Sequence, residues 1–568
     1  MSISNTIKSI QNIMWKDDGL DGDAQRIGQL VWMLFLKVFD QREEEWEDDA
    51  IDLGERYSSP LPEACRWRNW AAYNEDGTPK MSADEILNFI NITLFPTLKE
   101  LDAHNPKAKV VREVFRDAYN YMKTGSLLLK VAQTIEESIN FHDFKERQHL
   151  GDIYEQILKD LQGAGKAGEF YTPRTVTQFI IHQTKPQLNE KILDPACGTG
   201  GFLTATLDYL NGQLDETASP QDYAAIQKAI HGFEKKQLPH LLCTTNMLLH
   251  GIDVPSQIEH INTLAKSWND WKKTDQVDVI VTNPPFGGNE DDGVGIDFPT
   301  DFRTRETADM FIILIIKKLL KANGRAALVL PDGFFFGEGI KNKIKEELLT
   351  KCNLHTIVRL PNGVFSPYTS IKTNLLFFTK GKPTETIWFY EHPYPDGVKS
   401  YNKGKPMRFA EFQPEIDWWG NEADGFSARV ENEQAWRVNF AELKTDAEAK
   451  AKPHWQQAEN LKQQASTLNS EIKSLAKDAP EEQINALKQQ LDTLNQQAKE
   501  QQQASDAIYN AIFDLDCENP HKVEQFSHDP AVLLSQYAKE QHAIEALRQQ
   551  LKGILDVALS SSVQISHE

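Results

Sequence analysis

The stretch Lys191-Ile192-Leu193-Asp194-Pro195-Ala196-Cys197-Gly198-Thr199-Gly200-Gly201-Phe202-Leu203 leaves few folds open. A short apolar run, a glycine-rich turn and a helix-forming segment follow one another without a break. That order specifies strand, tight turn and helix, the unit from which open α/β sheets are built. Glycines at 198, 200 and 201 permit close backbone approaches that a Cβ would block. The turn falls at the carboxyl end of a strand, where such sheets bind ligands. It differs from the G-x-G-x-x-G pattern, which offers a helix N-terminus to a pyrophosphate. Here Asp194 puts a carboxylate just before the glycines. That placement suits a cationic ligand with an amino group, and S-adenosylmethionine carries both a sulfonium and an ammonium.

A second anchor lies downstream. Asp278 to Thr282 reads as a β-branched strand, and Asn283-Pro284-Pro285-Phe286 follows it. Two prolines fix φ and remove two backbone donors. The Asn283 amide oxygen and the Pro284 carbonyl are then acceptors at a strand end, and Phe286 offers a flat apolar face. Such a set suits an exocyclic amino group on a planar base. Between the anchors, Ala229 to Glu234 reads as the second strand of the sheet. It ends in an acid that can take both hydroxyls of a ribose.

D-P-A-C-G-T-G-G at Asp194–Gly201 and N-P-P-F at Asn283–Phe286 resemble motifs I and IV of amino-group DNA methyltransferases. The wider pattern resembles the modification (M) subunit of type I restriction-modification systems. This resemblance runs from near residue 10 to the C-terminal helix and is most specific between 150 and 380. It implies methyl transfer from S-adenosylmethionine to the N6 amino group of adenine in double-stranded DNA. It implies further that Asp194, Ala196, Gly198, Thr199, Gly200, Gly201 and Glu234 surround the cofactor, and that Asn283, Pro284, Pro285 and Phe286 meet the base. Gly168 to Arg174 resembles motif X, which in the family closes over the methionine part; its expected contacts are Glu169, Phe170, Tyr171 and Thr172. Read from the residues alone, Thr172 caps a helix from Thr175, with Pro173 at its first position. Leu248 to Asp253 resembles motif III, whose acid, Asp253, faces the cofactor's adenine amino group. Phe365 to Thr373 resembles motif VIII, near the flipped base, with Lys372 as a candidate phosphate contact.

Length allows about three domains for 568 residues. The expectation is a helical N-terminal domain (1–150), a Rossmann-like methyltransferase domain (151–395) and a C-terminal helical region (396–568). Five cysteines, at 65, 197, 243, 352 and 517, show no zinc spacing and suggest a reducing compartment. No signal-peptide apolar core follows the first lysine. Apolar runs such as Met310 to Ile316 are too short for a bilayer. A cytoplasmic protein without membrane or metal is expected. The net charge of −22 is the reverse of the basic footprint of a chain that holds DNA alone, and favours a partner that shares the grip.

Along the N-terminal region, Ile27, Leu30, Val31, Leu34, Phe35 and Val38 recur at helical spacing. The acid run Glu43 to Asp49 reads as a solvated face. Arg66-Trp67-Arg68-Asn69-Trp70 interleaves cations and aromatics as nucleic-acid surfaces do, although packed tryptophans with snorkelling arginines are the preferred reading. Gly287 to Thr307 reads as a loop over the substrate. Ala308 to Ala322 reads as a helix stopped by Gly324, Ala326 to Leu330 as a buried strand, and Phe334-Phe335-Phe336 as core. His355 to Leu360 is a strand, and Asn374–Phe378 with Thr386–Tyr390 reads as a hairpin closing the sheet. Residues 396–452 look loop-like. Beyond them, Leu461, Ala465, Leu468, Ile472 and Leu475, then Ile484, Leu487, Leu491 and Leu494, repeat at coiled-coil spacing on either side of Pro480. That predicts an antiparallel helical hairpin over about 455–508. A last helix, Ala531 to Leu559, carries an apolar seam suited to a subunit contact.

No stretch after the motif VIII region reads as a target-recognition domain, and no G-x-x-x-x-G-K-[ST] occurs. This departs from self-sufficient methyltransferases and points to a separate specificity (S) subunit. The resemblance implies two copies of this chain per specificity subunit, an M2S complex. Whether a restriction (R) subunit joins is left open. So are two alternatives: an amino-methyltransferase acting on cytosine N4, RNA or protein glutamine, and a non-catalytic, cofactor-binding assembly subunit.

Overall fold

The strand Ile192–Asp194 (β1) lies inside a sheet to which nine strands contribute among the described residues, in the order β3-β2-β1-β4-β5-β7-β6-β8-β9. The others are Ile230–Glu234 (β2), Ile258–His260 (β3), Val277–Thr282 (β4), Leu320–Pro331 (β5), Cys352–Arg359 (β6), Thr373–Lys380 (β7), Thr386–Glu391 (β8) and Ala435–Asn439 (β9). This computed structural model describes residues 3–138, 172–366, 371–402, 404–475 and 480–521, with a few isolated positions besides. Met1–Asn519 form one compact unit and Pro520–Glu568 a second, of which only scattered positions are described.

The strands β3, β2, β1, β4 and β5 run parallel. From β1 the chain winds outward through β2 and β3, then returns to β4 on the other side of β1. The order therefore reverses between β1 and β4, and a crevice opens at their carboxyl ends. Alternation along the strands feeds two cores. Leu193, Ile280, Leu328 and Leu330 pack to one face with the helices Thr307–Leu314 and Ile340–Lys351. Ile192, Val279, Val281 and Val329 pack to the other with Arg174–Thr184, Gly201–Asn211 and Gln237–Leu249. Parallel strands buried on both faces need this continuous apolar character.

A third core belongs to the N-terminal helices. Helix Asp23–Asp52 buries Leu30, Val31, Leu34, Phe35 and Val38 at the expected spacing. This core also takes in Leu241, Leu242, Leu248 and Leu249 of helix Gln237–Leu249, so the helical region is seated on the back of the sheet domain. Trp67 and Trp70 are buried as anticipated. Arg66 and Arg68 are ion-paired, and the acid run is a solvated face only in part, with Asp48 and Asp49 exposed. Arg68 pairs with Asp40 at 3.0 Å and Glu47 at 2.9 Å, Arg66 pairs with Glu47 at 3.3 Å, and Glu43 is fully buried. The two charge runs face each other, which leaves Arg66 and Arg68 committed inside the fold.

Three expectations for the later chain are corrected. The helix after the N-P-P-F loop ends in a π-helical turn, Ile315–Leu319, and β5 starts at Leu320, so Gly324 lies inside a strand. Strands β7 and β8 are not a hairpin: β6 lies between them, antiparallel to β7 and parallel to β8. Residues 396–452 are not mainly loop. They hold helix Gln413–Trp418, β9 and the start of the helix Phe440–Leu475, which runs on through Pro453. That helix and Glu481–Asn510 form the antiparallel hairpin. The Ser505 hydroxyl donates to the Ala451 carbonyl (3.3 Å), and His454 meets Gln501. Ala465, Ile472 and Ala498 are buried in its seam. The expected subunit-contacting helix Ala531 to Leu559 lies mostly outside the described residues.

Candidate active site

Segments that follow β1, β2, β3 and β4 line a cleft of about 440 Å³ at the switch point. Asp194 ends β1. One of its carboxylate oxygens accepts the Ala196 N–H at 3.1 Å and the Thr282 hydroxyl at 2.6 Å. This residue therefore shapes its own turn and ties β1 to the end of β4. It is 2% exposed, and burial pushes its carboxyl up to about 7 against those two hydrogen bonds, with Glu234 adding repulsion. Glu234 ends β2. Its two oxygens accept the Gly198 N–H at 3.0 Å and the Lys236 N–H at 2.6 Å. Burial raises its carboxyl as well, while the backbone donors pull it down. Two buried acids in one cleft favour an occupant that brings positive charge.

The glycines have divided tasks. Gly198 has φ +54°, a conformation that few other residues adopt, and this turns its N–H onto Glu234. Gly200, at φ +85°, starts helix Gly201–Asn211, and a Cβ there would stand 2.8 Å from Cys243 Sγ. Its role is close packing of two helices, not ligand approach. Thr199 likewise points its carbonyl to Asn246 at 3.2 Å, and neither Thr199 nor Gly200 lines the cleft. Ala196, Gly198 and Gly201 do.

Asn283 stands at the end of β4. Its Nδ2 donates to the Thr172 hydroxyl at 3.0 Å, and its Oδ1 has no partner among the described residues. Pro284 is buried, Pro285 exposed, and Phe286 half-buried against the core below. All four line the cleft with Thr172. The capping role expected of Thr172 is not what the structure shows. Pro173 is the N-cap of helix Arg174–Thr184 and no side chain caps it, so the threonine hydroxyl is left to orient the asparagine amide. Glu169, Phe170 and Tyr171 lie outside the described residues.

Asp253 is a second correction. It precedes β3, at the opposite end of that strand from the cleft, is half exposed, and pairs with Arg42 of the N-terminal helices. The residues that follow β3 into the cleft are Ile261, Asn262 and Thr263. Strand β3 has only three residues, two of them Glu259 and His260, so it lacks the apolar run that marks a strand. The stronger apolar signal at Leu248-Leu249 belongs to the end of a helix. Sequence reasoning also missed Glu290. This buried acid accepts from Lys235 Nζ at 2.9 Å and Asn262 Nδ2 at 3.3 Å, and so pins the loop after N-P-P-F to the segments after β2 and β3. Of the motif VIII stretch, Phe365 is buried, while Lys372 is exposed with its carbonyl accepting the Asp332 N–H.

Family comparison agrees with this geometry. The N-6 DNA Methylase family matches residues 145–464, and the HsdM N-terminal domain matches residues 3–135. The EcoEI type I restriction enzyme methylase subunit of Escherichia coli is 52% identical over 99% of both chains. This chain belongs to the N-6 DNA methylase family, among the modification subunits of type I restriction-modification systems. Two solved structures are similar to it over 78% and 98% of its length. A modification subunit of a putative type I restriction enzyme from Vibrio vulnificus YJ016 is 39% identical, with a TM-score of 0.66 over 78% of this chain and 93% of that one. A chain from a study of complex assembly and conformational transition in a type I R-M system is 29% identical, with a TM-score of 0.69 over 98% of both. No helix among the described residues is long and apolar enough to cross a membrane.

Proposed function

We propose that this methylase binds S-adenosylmethionine between the ends of β1 and β2 and methylates the N6 amino group of an adenine held at the end of β4. The observation that carries this reading is the state of Asn283: its amide is fixed through Nδ2 on Thr172, and its Oδ1 has no donor among the described residues. An exocyclic amine is a poor nucleophile because its lone pair is delocalised into the ring. Asn283 Oδ1 and the Pro284 carbonyl accept its two hydrogens, which favours a tetrahedral nitrogen. Phe286 supplies a face for the base once it has left the duplex. Positioning of this kind supplies much of the rate in transfers without a protein nucleophile.

The cleft fits the cofactor by its chemistry. Asp194 and Glu234 are buried acids that a cation stabilises in the ionised form. Glu234 retains lone pairs that would take a ribose diol, and Asn262, which lines the cleft where Asp253 does not, would stand by the cofactor's base. Thr172, Ala196, Gly198 and Gly201 complete the walls. When bound, S-adenosylmethionine supplies a methyl carbon whose bond to sulfur breaks as the adenine lone pair takes it. The residues named hold the amine in line, and its surplus proton leaves to solvent.

The substrate is double-stranded DNA, read by a specificity subunit, in a complex of two such chains with one specificity subunit. The charge of −22 supports a shared DNA grip, and a single cleft faces only one strand of a site. We place the protein in the cytoplasm, where its DNA is. The test is methylation of DNA by this chain with and without the specificity subunit. Sequence-specific N6-methyladenine should appear only with both. Methylation of one defined sequence by the chain alone would overturn the division of labour.

A further inference from the structure

The triple phenylalanine after β5 is not uniform core. Phe334 and Phe335 are buried at 3% and 1% exposure, whereas Phe336 is 56% exposed. A large aromatic ring in water is costly to leave uncovered, at roughly 25 cal/mol per Å² of apolar surface, and here the fold holds it out. Lys345, fully buried on helix Ile340–Lys351, donates from Nζ to the Phe335 carbonyl at 2.7 Å and the Gly337 carbonyl at 2.9 Å. It thus clamps the backbone on both sides of Phe336. The Phe335 carbonyl accepts a second bond from the Leu515 N–H at 3.1 Å. Burial of this kind pulls the lysine down to about 8.

None of this turn lines the cleft, but it is joined to elements that do. It follows β5, whose Leu328 pairs with Thr282, the residue before Asn283. Lys341, five positions after Phe336, pairs with Asp309 at 2.6 Å and with Glu306. Asp309 lies between Thr307 and Phe311, which both line the cleft. On its other side the turn is joined to the start of β7: Asp332 N–H donates to the Lys372 carbonyl at 3.2 Å, and Asn374 Nδ2 donates to the Asp332 carboxylate at 2.6 Å. Two more large apolar side chains stand exposed at this end of the sheet, Ile296 in the loop after N-P-P-F and Ile371 before β7.

We propose that Phe336 is a DNA-contacting residue, stacking in the gap that the target adenine leaves in the duplex, and that Lys345 is the positioning residue that holds it there. This rests on the reading of the cleft as an adenine N6-methylation site. Extruding a base unstacks its neighbours, and an apolar wedge that replaces the lost stacking lowers the cost of the open state. An aromatic ring serves any neighbouring base, because every base offers a π-face. It therefore suits a subunit whose site specificity is read elsewhere.

The experiment uses the full methylase with its specificity subunit and two duplexes of one sequence, with 2-aminopurine at the target position for the fluorescence and with adenine there for methyl transfer. Phe336→Ala should lower the fluorescence gain on binding and reduce kcat/KM for DNA by roughly 10- to 100-fold, the scale of one lost base–aromatic stack. S-adenosylmethionine affinity should not change, and Phe336→Trp should restore most of the activity. Lys345→Met should show the same defect with an intact cofactor site. If the wild-type complex methylates adenine and Phe336→Ala matches it in both fluorescence and kcat/KM, the wedge is refuted while the site reading stands. If the wild-type complex does not methylate adenine at all, it is the site reading that fails.

Discussion

Replacing Asn283 by alanine separates binding from chemistry. The side chain makes one described hydrogen bond to the protein, from Nδ2 to the Thr172 hydroxyl at 3.0 Å. Losing it costs the fold about 1 kcal/mol, the usual net worth of such a bond. The asparagine is only partly buried, so the cavity left is small. The buried acids proposed to hold the cofactor, Asp194 and Glu234, keep all their own partners, which do not include Asn283. Affinity for S-adenosylmethionine should therefore stay within about twofold, on the usual near-additivity of sites without shared partners. The reaction itself loses the acceptor that Oδ1 offers to the amine. Removing one preorganised polar group from a reaction centre costs roughly 10²- to 10³-fold in kcat. Calorimetric titration of the cofactor and single-turnover methylation by the full complex give the two numbers. A variant with wild-type turnover would refute the assignment of Oδ1 as the amine's acceptor. A variant that loses cofactor binding in proportion would make Asn283 a structural residue.

Three further outcomes follow from the geometry. Because burial raises Asp194 to about 7, a cation must bind its ionised form, so cofactor affinity should fall about tenfold from pH 8 to pH 6. The same proton has the opposite effect on folding: the folded chain holds it where the unfolded chain has lost it, so this contribution to stability declines as pH rises from about 4 through 7. Asp194→Asn should flatten the affinity profile, and an unchanged slope would contradict the assignment. Gly200→Ala meets Cys243 Sγ at 2.8 Å with φ +85°, and should lower stability by about 1–3 kcal/mol in chemical denaturation; no change would mean the two helices shift apart freely. Arg68→Ala strands the buried Asp40, already raised to about 6, and should cost about 2–4 kcal/mol without altering salt-dependent DNA affinity. A flatter salt dependence would return Arg68 to the DNA surface.

The parts of this protein legible in its sequence are those specified over short distances. The strand, turn and helix at 191–203, the acid that ends β2 and the N-P-P-F strand end each carry their signal within a dozen residues, and the cleft brings them together. The coiled-coil seam was legible for the same reason, since heptad spacing is local. What was not legible depends on pairing at a distance. Strand β3 is too short and polar to show a period, so the cleft's Asn262 was passed over for Asp253. The insertion of β7 between β5 and β6 is set by sheet pairing, and adjacent strands joined by Gly381-Lys382-Pro383 look like a hairpin without it. Thr172 has the composition of a helix cap, but its hydroxyl is bound to an asparagine 111 positions away. Nothing in Phe-Phe-Phe distinguishes its third ring from the first two; the buried Lys345 that turns it out lies on the next helix.

On the proposed reading, the cleft methylates adenine N6 in DNA and needs a specificity subunit to choose the site. The most direct measurement is base-resolved detection of methylated bases in DNA from cells expressing this chain with its specificity subunit, beside cells expressing the Asn283→Ala variant with the same partner. The account predicts N6-methyladenine on both strands of one recurring sequence with the wild-type chain, and none with the variant. N4-methylcytosine at that sequence, or N6-methyladenine that persists with the variant, would contradict it.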